Sequence, residues 1–218
     1  MGAQRPPAGD GEPVGRRTVL AGAGAAAVGG LAGCLGGGEP TPTAAEPVTD
    51  LPPPVAGAAD AAVTVAVYED FSCPHCATFS LEVFPRLREA YLEPGTVRYE
   101  HHDFPIPVDD WSWPVASAAR AVQDGAGDAA FFAYAKRLFE SMDAYSLDTL
   151  AGLAEEVGAE PDAVRAAAAE EPYRPVVAAD RRDGIDRGVE GTPTAFVGDT
   201  ALVGPTFEEL RTAIEAAR

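Results

Sequence analysis

The sequence predicts an α/β domain in which one sheet, flanked by helices, is interrupted by an all-helical insertion. Three observations carry that prediction. A short β-rich run, Val63-Thr64-Val65-Ala66-Val67-Tyr68, leads straight into a cysteine pair where a helical pattern begins. A second β-rich run, Thr96 to Phe104, follows that helix, and strand-helix-strand at this length is a parallel βαβ unit. From about 111 to 187 no strand pattern occurs, and β character returns only at Thr194 to Val197 and Ala201 to Val203.

Taken in order, residues 1–33 do not read as part of the fold. Arg16-Arg17 stands directly before an apolar, small-residue stretch from Thr18 to Gly33, too short and Gly-rich for a comfortable membrane span. A twin arginine in that position is the address of the twin-arginine export route, which carries proteins already folded. The stretch ends in Leu31-Ala32-Gly33-Cys34, which resembles a lipobox. On that resemblance Cys34 becomes a lipidated N-terminus and membrane anchor; the plainer alternative is an ordinary cleavage site with a cysteine beside it. Residues 34–61, with Leu51-Pro52-Pro53-Pro54, lack apolar periodicity and read as a Pro/Gly-rich linker.

The folded domain is expected over 62–218. Cys73 to about Leu92 is helical in pattern, with Phe79, Val83, Phe84, Leu87 and Tyr91 at three- and four-residue spacings, and Pro85 is expected to kink it. Within the insertion, Ala116 to Gln123, Ala129 to Met142, Leu147 to Val157 and Asp162 to Ala169 are helical stretches separated by Gly, Asp-Gly or Pro breaks. A last amphipathic helix runs from about Thr206 to Ala217 with Phe207, Leu210 and Ile214 on one face.

The 218 residues carry 34 Asp plus Glu against 16 Lys plus Arg, a net charge of −18, which argues against nucleic acid as a partner. The acids are spread along the chain and Lys136 is its only lysine. Distributed carboxylates of this kind suit a surface adapted to high salt. A GC-rich coding bias explains the missing lysines but not the surplus of acids.

The chemistry sits at Cys73-Pro74-His75-Cys76. Two residues between cysteines at a helix start bring the sulfurs into bonding range. The free N–H groups and positive dipole end there favour a thiolate on the first one. Cys73 is therefore the nucleophile and Cys76 the resolving thiol. Pro74 suits the first helical turn, and His75 places an imidazole beside the sulfurs that, when protonated, favours the Cys73 thiolate. A zinc site needs a second ligand pair. Only His101-His102 offers one, and in a strand those two point to opposite faces.

Asp70-Phe71-Ser72-Cys73-Pro74-His75-Cys76, Asp103-Phe104-Pro105 and Gly191-Thr192-Pro193-Thr194, in this order and spacing, resemble the DsbA-like branch of the thioredoxin superfamily over about residues 60 to 218. The resemblance implies a thioredoxin fold, with a central mixed sheet and the helical subdomain inserted at about 111–187. It implies further that Pro193 is cis and lies against the active-site cysteines, with Thr192 touching the sulfurs and its backbone free to pair with an extended substrate. Many relatives carry a buried glutamate six residues before the first cysteine, where this chain has Val67. Asp70 is a candidate proton acceptor, although in so acidic a chain a solvated loop aspartate is the favoured reading. Trp111 and Trp113 are read as core packing rather than as the lining of a substrate groove.

The expected function is an exported, lipid-anchored thiol-disulfide oxidoreductase that needs no metal or organic cofactor. It acts on exported proteins bearing thiols or disulfides, as a disulfide donor reset by a membrane redox partner. Alternatives are a reductase or isomerase of the same fold, a copper carrier using Cys73, Cys76 and a histidine as soft ligands, and a redox-silent binding module.

Overall fold

The structure is a computed structural model and describes residues 45–106 and 109–218. The expected export signal and Cys34 lie outside the described residues.

Among the described residues the sheet has five strands: β1 (Val55–Gly57), β2 (Val63–Glu69), β3 (Val97–Asp103), β4 (Thr194–Val197) and β5 (Thr200–Val203), in the order β1-β3-β2-β4-β5. β2 and β3 are parallel and the other pairs antiparallel, so the sheet is mixed. Alternation along β2 and β3 divides the core in two. Val65, Val67, Val97 and Tyr99 face the larger cluster, while Ala66 and Tyr68 face a smaller one with Phe104, Val189 and Phe196.

The crossover from β2 to β3 is helical from Pro74 to Leu92, but not uniformly α. α1 (Pro74–Thr78) and α2 (Phe84–Leu87) alternate with wider π turns at Phe79–Val83 and Arg88–Leu92. The expected disturbance at Pro85 takes this form. Proline has no N–H to donate, and just before it the Phe84 N–H reaches back five residues to the Phe79 carbonyl.

The insertion consists of α3 (Ser112–Ala126), α4 (Asp128–Glu140), α5 (Leu147–Glu156), α6 (Pro161–Glu170) and α7 (Arg174–Asp186). α7 has no counterpart among the helical stretches read from the sequence, because Arg-Pro-Val-Val-Ala-Ala-Asp-Arg-Arg-Asp-Gly-Ile-Asp shows little apolar periodicity. It is set by packing on the back of the sheet. A Cβ at Gly184 would lie 2.7 Å from Phe104 and 2.9 Å from Tyr68, so the glycine permits the close approach. α8 (Phe207–Ala217) closes the fold. It begins with a capping box in which the Thr206 hydroxyl accepts the Glu209 N–H and Glu209 accepts the Thr206 N–H.

The linker expected to reach residue 61 needs correction. Residues 51–57 belong to the domain: β1 pairs with β3, the Pro54 carbonyl accepts the His101 N–H at 3.1 Å, and Asp128 accepts the Val55 N–H at 3.0 Å. The Pro52 carbonyl accepts from Arg120 at 3.1 Å and from Gln123 at 3.0 Å. Backbone groups make these bonds, so the Pro/Gly/Ala composition gives no apolar pattern to reveal them. Gly57, at φ +84°, is required where a Cβ would sit 2.3 Å from the Val97 carbonyl. Among the described residues no helix is long and apolar enough to cross a membrane.

Candidate active site

The register of the sheet assembles the site. Tyr68 pairs with both His102 and Thr194, so the loop leaving β2 and the loop entering β4 emerge side by side. Cys73 is extended, at φ −91° and ψ 120°, and caps α1 with Pro74 in its first turn. Its carbonyl accepts the Ala77 N–H, and its own N–H is held by the Asp70 carbonyl at 3.0 Å. From β4, the cis Thr192–Pro193 bond brings the Thr192 carbonyl to 3.5 Å from Cys73 Sγ, where it accepts from the thiol.

Both cysteines are reduced and buried, yet their thiols are unequal. The hydrogen bond from the Cys76 thiol, joined by contact with Thr192 and by the backbone N–H groups of Cys76 and His75, outweighs burial and lowers the Cys73 pKa to about 5. Burial and the bond to Cys73 push Cys76 well above the ordinary thiol range. His75 thus serves Cys73 through its backbone N–H, while its side chain is exposed at the mouth of a groove of about 680 Å³. Phe79, Thr192, Pro193, Val203 and Phe207 also line this groove.

Asp70 is not the solvated loop residue favoured on composition. It is 2% exposed and accepts from the Ser72 N–H at 2.8 Å, the Ile106 N–H at 2.7 Å and the Ser112 hydroxyl at 2.9 Å. Burial raises its pKa to about 6 in spite of those three bonds. Trp111 and Trp113 pack half-buried against the larger core, and the Arg174 guanidinium lies 4.2 Å above the Trp113 ring.

Sequence reasoning missed the polar layer beneath the cysteines. Glu69, 2% exposed, accepts from the Ser80 hydroxyl at 2.7 Å and the Tyr99 hydroxyl at 3.3 Å. His101 lies between Glu69, 3.3 Å from Nδ1, and Asp103, 3.4 Å from Nε2. Burial alone would lower the His101 pKa, but bonds to Asp103 and Glu69 prevail and raise it to about 9. Arg120, fully buried, donates to Asp103 at 2.6 Å and also to Asp180. The available signal was Glu100-His101-His102-Asp103 at the end of a run with strand spacing: four polar residues where apolar ones belong must be paired if buried. Among the described residues no three His, Cys, Asp or Glu side chains converge in a metal-holding group.

This geometry has relatives. The probable disulfide bond formation protein D of Bacillus cereus is 42% identical over 50 residues, 23% of this chain and 23% of that protein, so the match spans about a quarter of the relative's length. The structure of oxidised BdbD from Bacillus subtilis shares the fold with a TM-score of 0.70 and 23% identity, over 79% of this chain and 98% of that one. DsbA from Chlamydia trachomatis follows at 0.68 and 25% identity, over 75% and 88% of the two chains. A family model described as Thioredoxin matches residues 49–216, from the strap ahead of β1 to the last turn of α8, and the chain belongs to the thioredoxin family.

Proposed function

We propose that this chain is an exported protein dithiol-disulfide oxidoreductase that donates its Cys73–Cys76 disulfide to the thiols of other exported proteins. The carrying observation is the inequality of the two thiols: Cys73, at a helix N-terminus, is held as a thiolate by the Cys76 thiol and two backbone N–H groups, and Cys76 is sealed below it. Such stabilisation exists only in the reduced protein, where Cys73 is free, and it makes the disulfide more oxidising. The Bacillus cereus relative named for disulfide bond formation points the same way.

In the donating direction a client thiolate attacks Cys73 Sγ and the Cys73–Cys76 bond breaks, leaving a mixed disulfide and a free Cys76. A second client thiolate then attacks the client sulfur of the mixed bond, and Cys73 leaves as the stabilised thiolate. The client dithiol is oxidised to a disulfide and the protein disulfide is reduced to two thiols. The apolar groove beside Thr192–Pro193 gives an extended client segment a place to lie next to Cys73. The Arg16-Arg17 signal and the Cys34 lipobox put the domain on the outer face of the membrane, where a membrane redox partner reoxidises the pair.

The test is the equilibrium reduction potential of the pair in the full chain, titrated against glutathione in molar salt. A value nearer the roughly −120 mV of strongly oxidising relatives than the roughly −270 mV of thioredoxin is expected. A thioredoxin-like value would reverse the direction of electron flow and make the protein a reductase.

A further inference from the structure

When the Cys73–Cys76 bond opens in the donating direction, Cys76 is the leaving group, and it has no solvent exposure at all. Water cannot reach the charge that appears on its sulfur, so a fixed donor has to stand in for solvent. Such a donor is present: the backbone N–H of Asp70 donates to Cys76 Sγ at 3.5 Å. On its other side the Asp70 carbonyl accepts the Cys73 N–H at 3.0 Å. The main chain of Asp70 therefore touches both halves of the redox turn, Cys76 at its sulfur and Cys73 at its backbone.

What holds that main chain lies outside the turn. One oxygen of the Asp70 carboxylate accepts the Ser72 N–H, and the other accepts the Ile106 N–H at 2.7 Å and the Ser112 hydroxyl at 2.9 Å. Ile106 belongs to the stretch that leaves β3, where the Phe104 N–H also donates to the Glu69 carbonyl at 2.8 Å. Ser112 is the first residue of α3, at the mouth of the helical insertion. Asp70 and Ser112 are both buried, so water does not compete for these bonds. By charge alone a carboxylate in this place opposes the neighbouring Cys73 thiolate. Its contribution to the site lies in what it holds.

We propose that Asp70 is a positioning residue for the buried half of the exchange: its carboxylate, tied to the end of β3 and to α3, keeps the Asp70 N–H on the Cys76 sulfur, so that the Cys76 thiolate forms against a donor already in place. In the donating direction a client thiolate forms a bond to Cys73 Sγ, the Cys73–Cys76 bond breaks, and its electron pair goes to Cys76. The Asp70 N–H donates to that anion and keeps its proton. In the reverse direction the Cys76 thiolate attacks Cys73 Sγ, the Cys73–Cys76 bond forms, and the client leaves as a thiolate. The inference rests on the oxidoreductase reading and deepens it, since the start of the helical insertion then takes part in the chemistry at the edge of the sheet.

In the full chain carrying Cys34→Ala, Cys73 and Cys76 are the two remaining thiols, and stopped-flow reaction of the reduced protein with Ellman's reagent separates them. The first release of thionitrobenzoate reports attack by Cys73, and the second reports closure of the disulfide by Cys76. Asp70→Asn keeps an acceptor for Ser72 but puts an amide where two donors were accepted. It is expected to slow the second release about tenfold, with the first staying within about twofold. Ser112→Ala removes one tie and leaves the charge unchanged. It is expected to slow the second release about threefold, and it carries the test if Asp70→Asn does not fold. A carboxylate acting through its charge gives the opposite sign, because Asp70→Asn then relieves repulsion and speeds the second release. That outcome, a second release unchanged in both variants, or equal slowing of both releases in a folded variant overturns the proposal. No second release in the parent chain would sink the oxidoreductase reading itself, and the inference with it.

Discussion

His101 and His102 are neighbours in β3 that face opposite sides of the sheet, and the two sides are stabilised in different ways. On the front, beneath the cysteines, His101 is enclosed by Phe71 and Phe131 and flanked by two buried carboxylates, Glu69 and Asp103. On the back, His102 stacks on Tyr68 with centroids 4.7 Å apart, and its ring nitrogens lie 3.5 and 3.6 Å from Asp180 and Glu100. Those two acids have other partners, Asp180 in Arg120 and Glu100 in Arg98 at 2.7 Å. The back of the sheet is a lattice of aromatic rings with arginines over them, Arg187 over Phe196 at 3.9 Å and Arg181 over Phe104 at 5.5 Å. The contrast teaches that a buried charge is costly to remove when it alone compensates its neighbours, and cheap to remove when it is one of several.

The sharpest way to break the comparison is to replace each histidine by phenylalanine. His101→Phe leaves Glu69 without the one cationic partner it has among the described residues and deprives Asp103 of one, and it is expected to cost about 3–5 kcal/mol in urea unfolding. His102→Phe keeps the stack on Tyr68 and leaves Asp180 and Glu100 paired with arginines, at an expected cost of about 1 kcal/mol or less. The pH dependence carries a second signature. His101 has its folded pKa raised to about 9 from an ordinary 6.5, so its contribution to stability is fully present below about pH 6.5 and is lost as pH rises through about 9. In His101→Phe that fall in stability on the alkaline side is expected to shrink. Equal costs for the two variants would mean the two faces do not differ as described.

A smaller effect is expected at Gly184, where the added methyl group of Gly184→Ala meets Phe104 and Tyr68 at 2.7 to 2.9 Å. Overpacking of this kind costs about 1–3 kcal/mol. Because α7 lies behind the sheet, the alkylation rate of Cys73 is expected to stay unchanged while the unfolding midpoint falls. A parallel loss of thiol reactivity would show that the back face sets the geometry of the front.

How much of this was legible follows from the same division. Val63 to Tyr68, the Cys73-Pro74-His75-Cys76 turn, Thr194 to Val197 and the Thr206 start of α8 each carry their own local signal: alternation, a helix-start proline, a capping residue. β1 and α7 carry none, since the first is held by carbonyl and amide bonds and the second by a glycine that lets a polar helix approach a sheet. Asp70 and Glu69 were misjudged or overlooked for one reason. In a chain with 34 acids, composition makes each carboxylate look solvated, and only the fold reveals that these two, with Asp103, are enclosed. The spacing of the cysteines marked them as a redox pair, and the resemblance put Thr192 against the sulfurs across 119 residues, but neither pointed to the Cys76 thiol as the leading group that holds the thiolate, because it is a neighbour of Cys73 only once α1 has formed.

The least effect on the fold, and the clearest on the chemistry, is expected at the thiols themselves. Cys73 has its pKa lowered to about 5 from an ordinary 9.0, and the bond from the Cys76 thiol is the largest cause. A depressed acid stabilises the reduced folded state fully above its ordinary pKa and loses that contribution as pH falls through the folded value, here about 5. Iodoacetamide labelling of Cys73 in the reduced full chain is therefore expected to be fast and flat at neutral pH and to fall with a midpoint near 5. Cys76→Ala removes the leading donor but leaves the backbone N–H groups of His75 and residue 76, so the midpoint is expected to move up without reaching the ordinary thiol value. His75→Ala keeps its backbone N–H, and is expected to move the midpoint less than Cys76→Ala does. If His75→Ala moved it more, the imidazole rather than the buried thiol would be the group that holds Cys73 ionised, and control of the thiolate would pass from the sealed side of the sheet to the open groove.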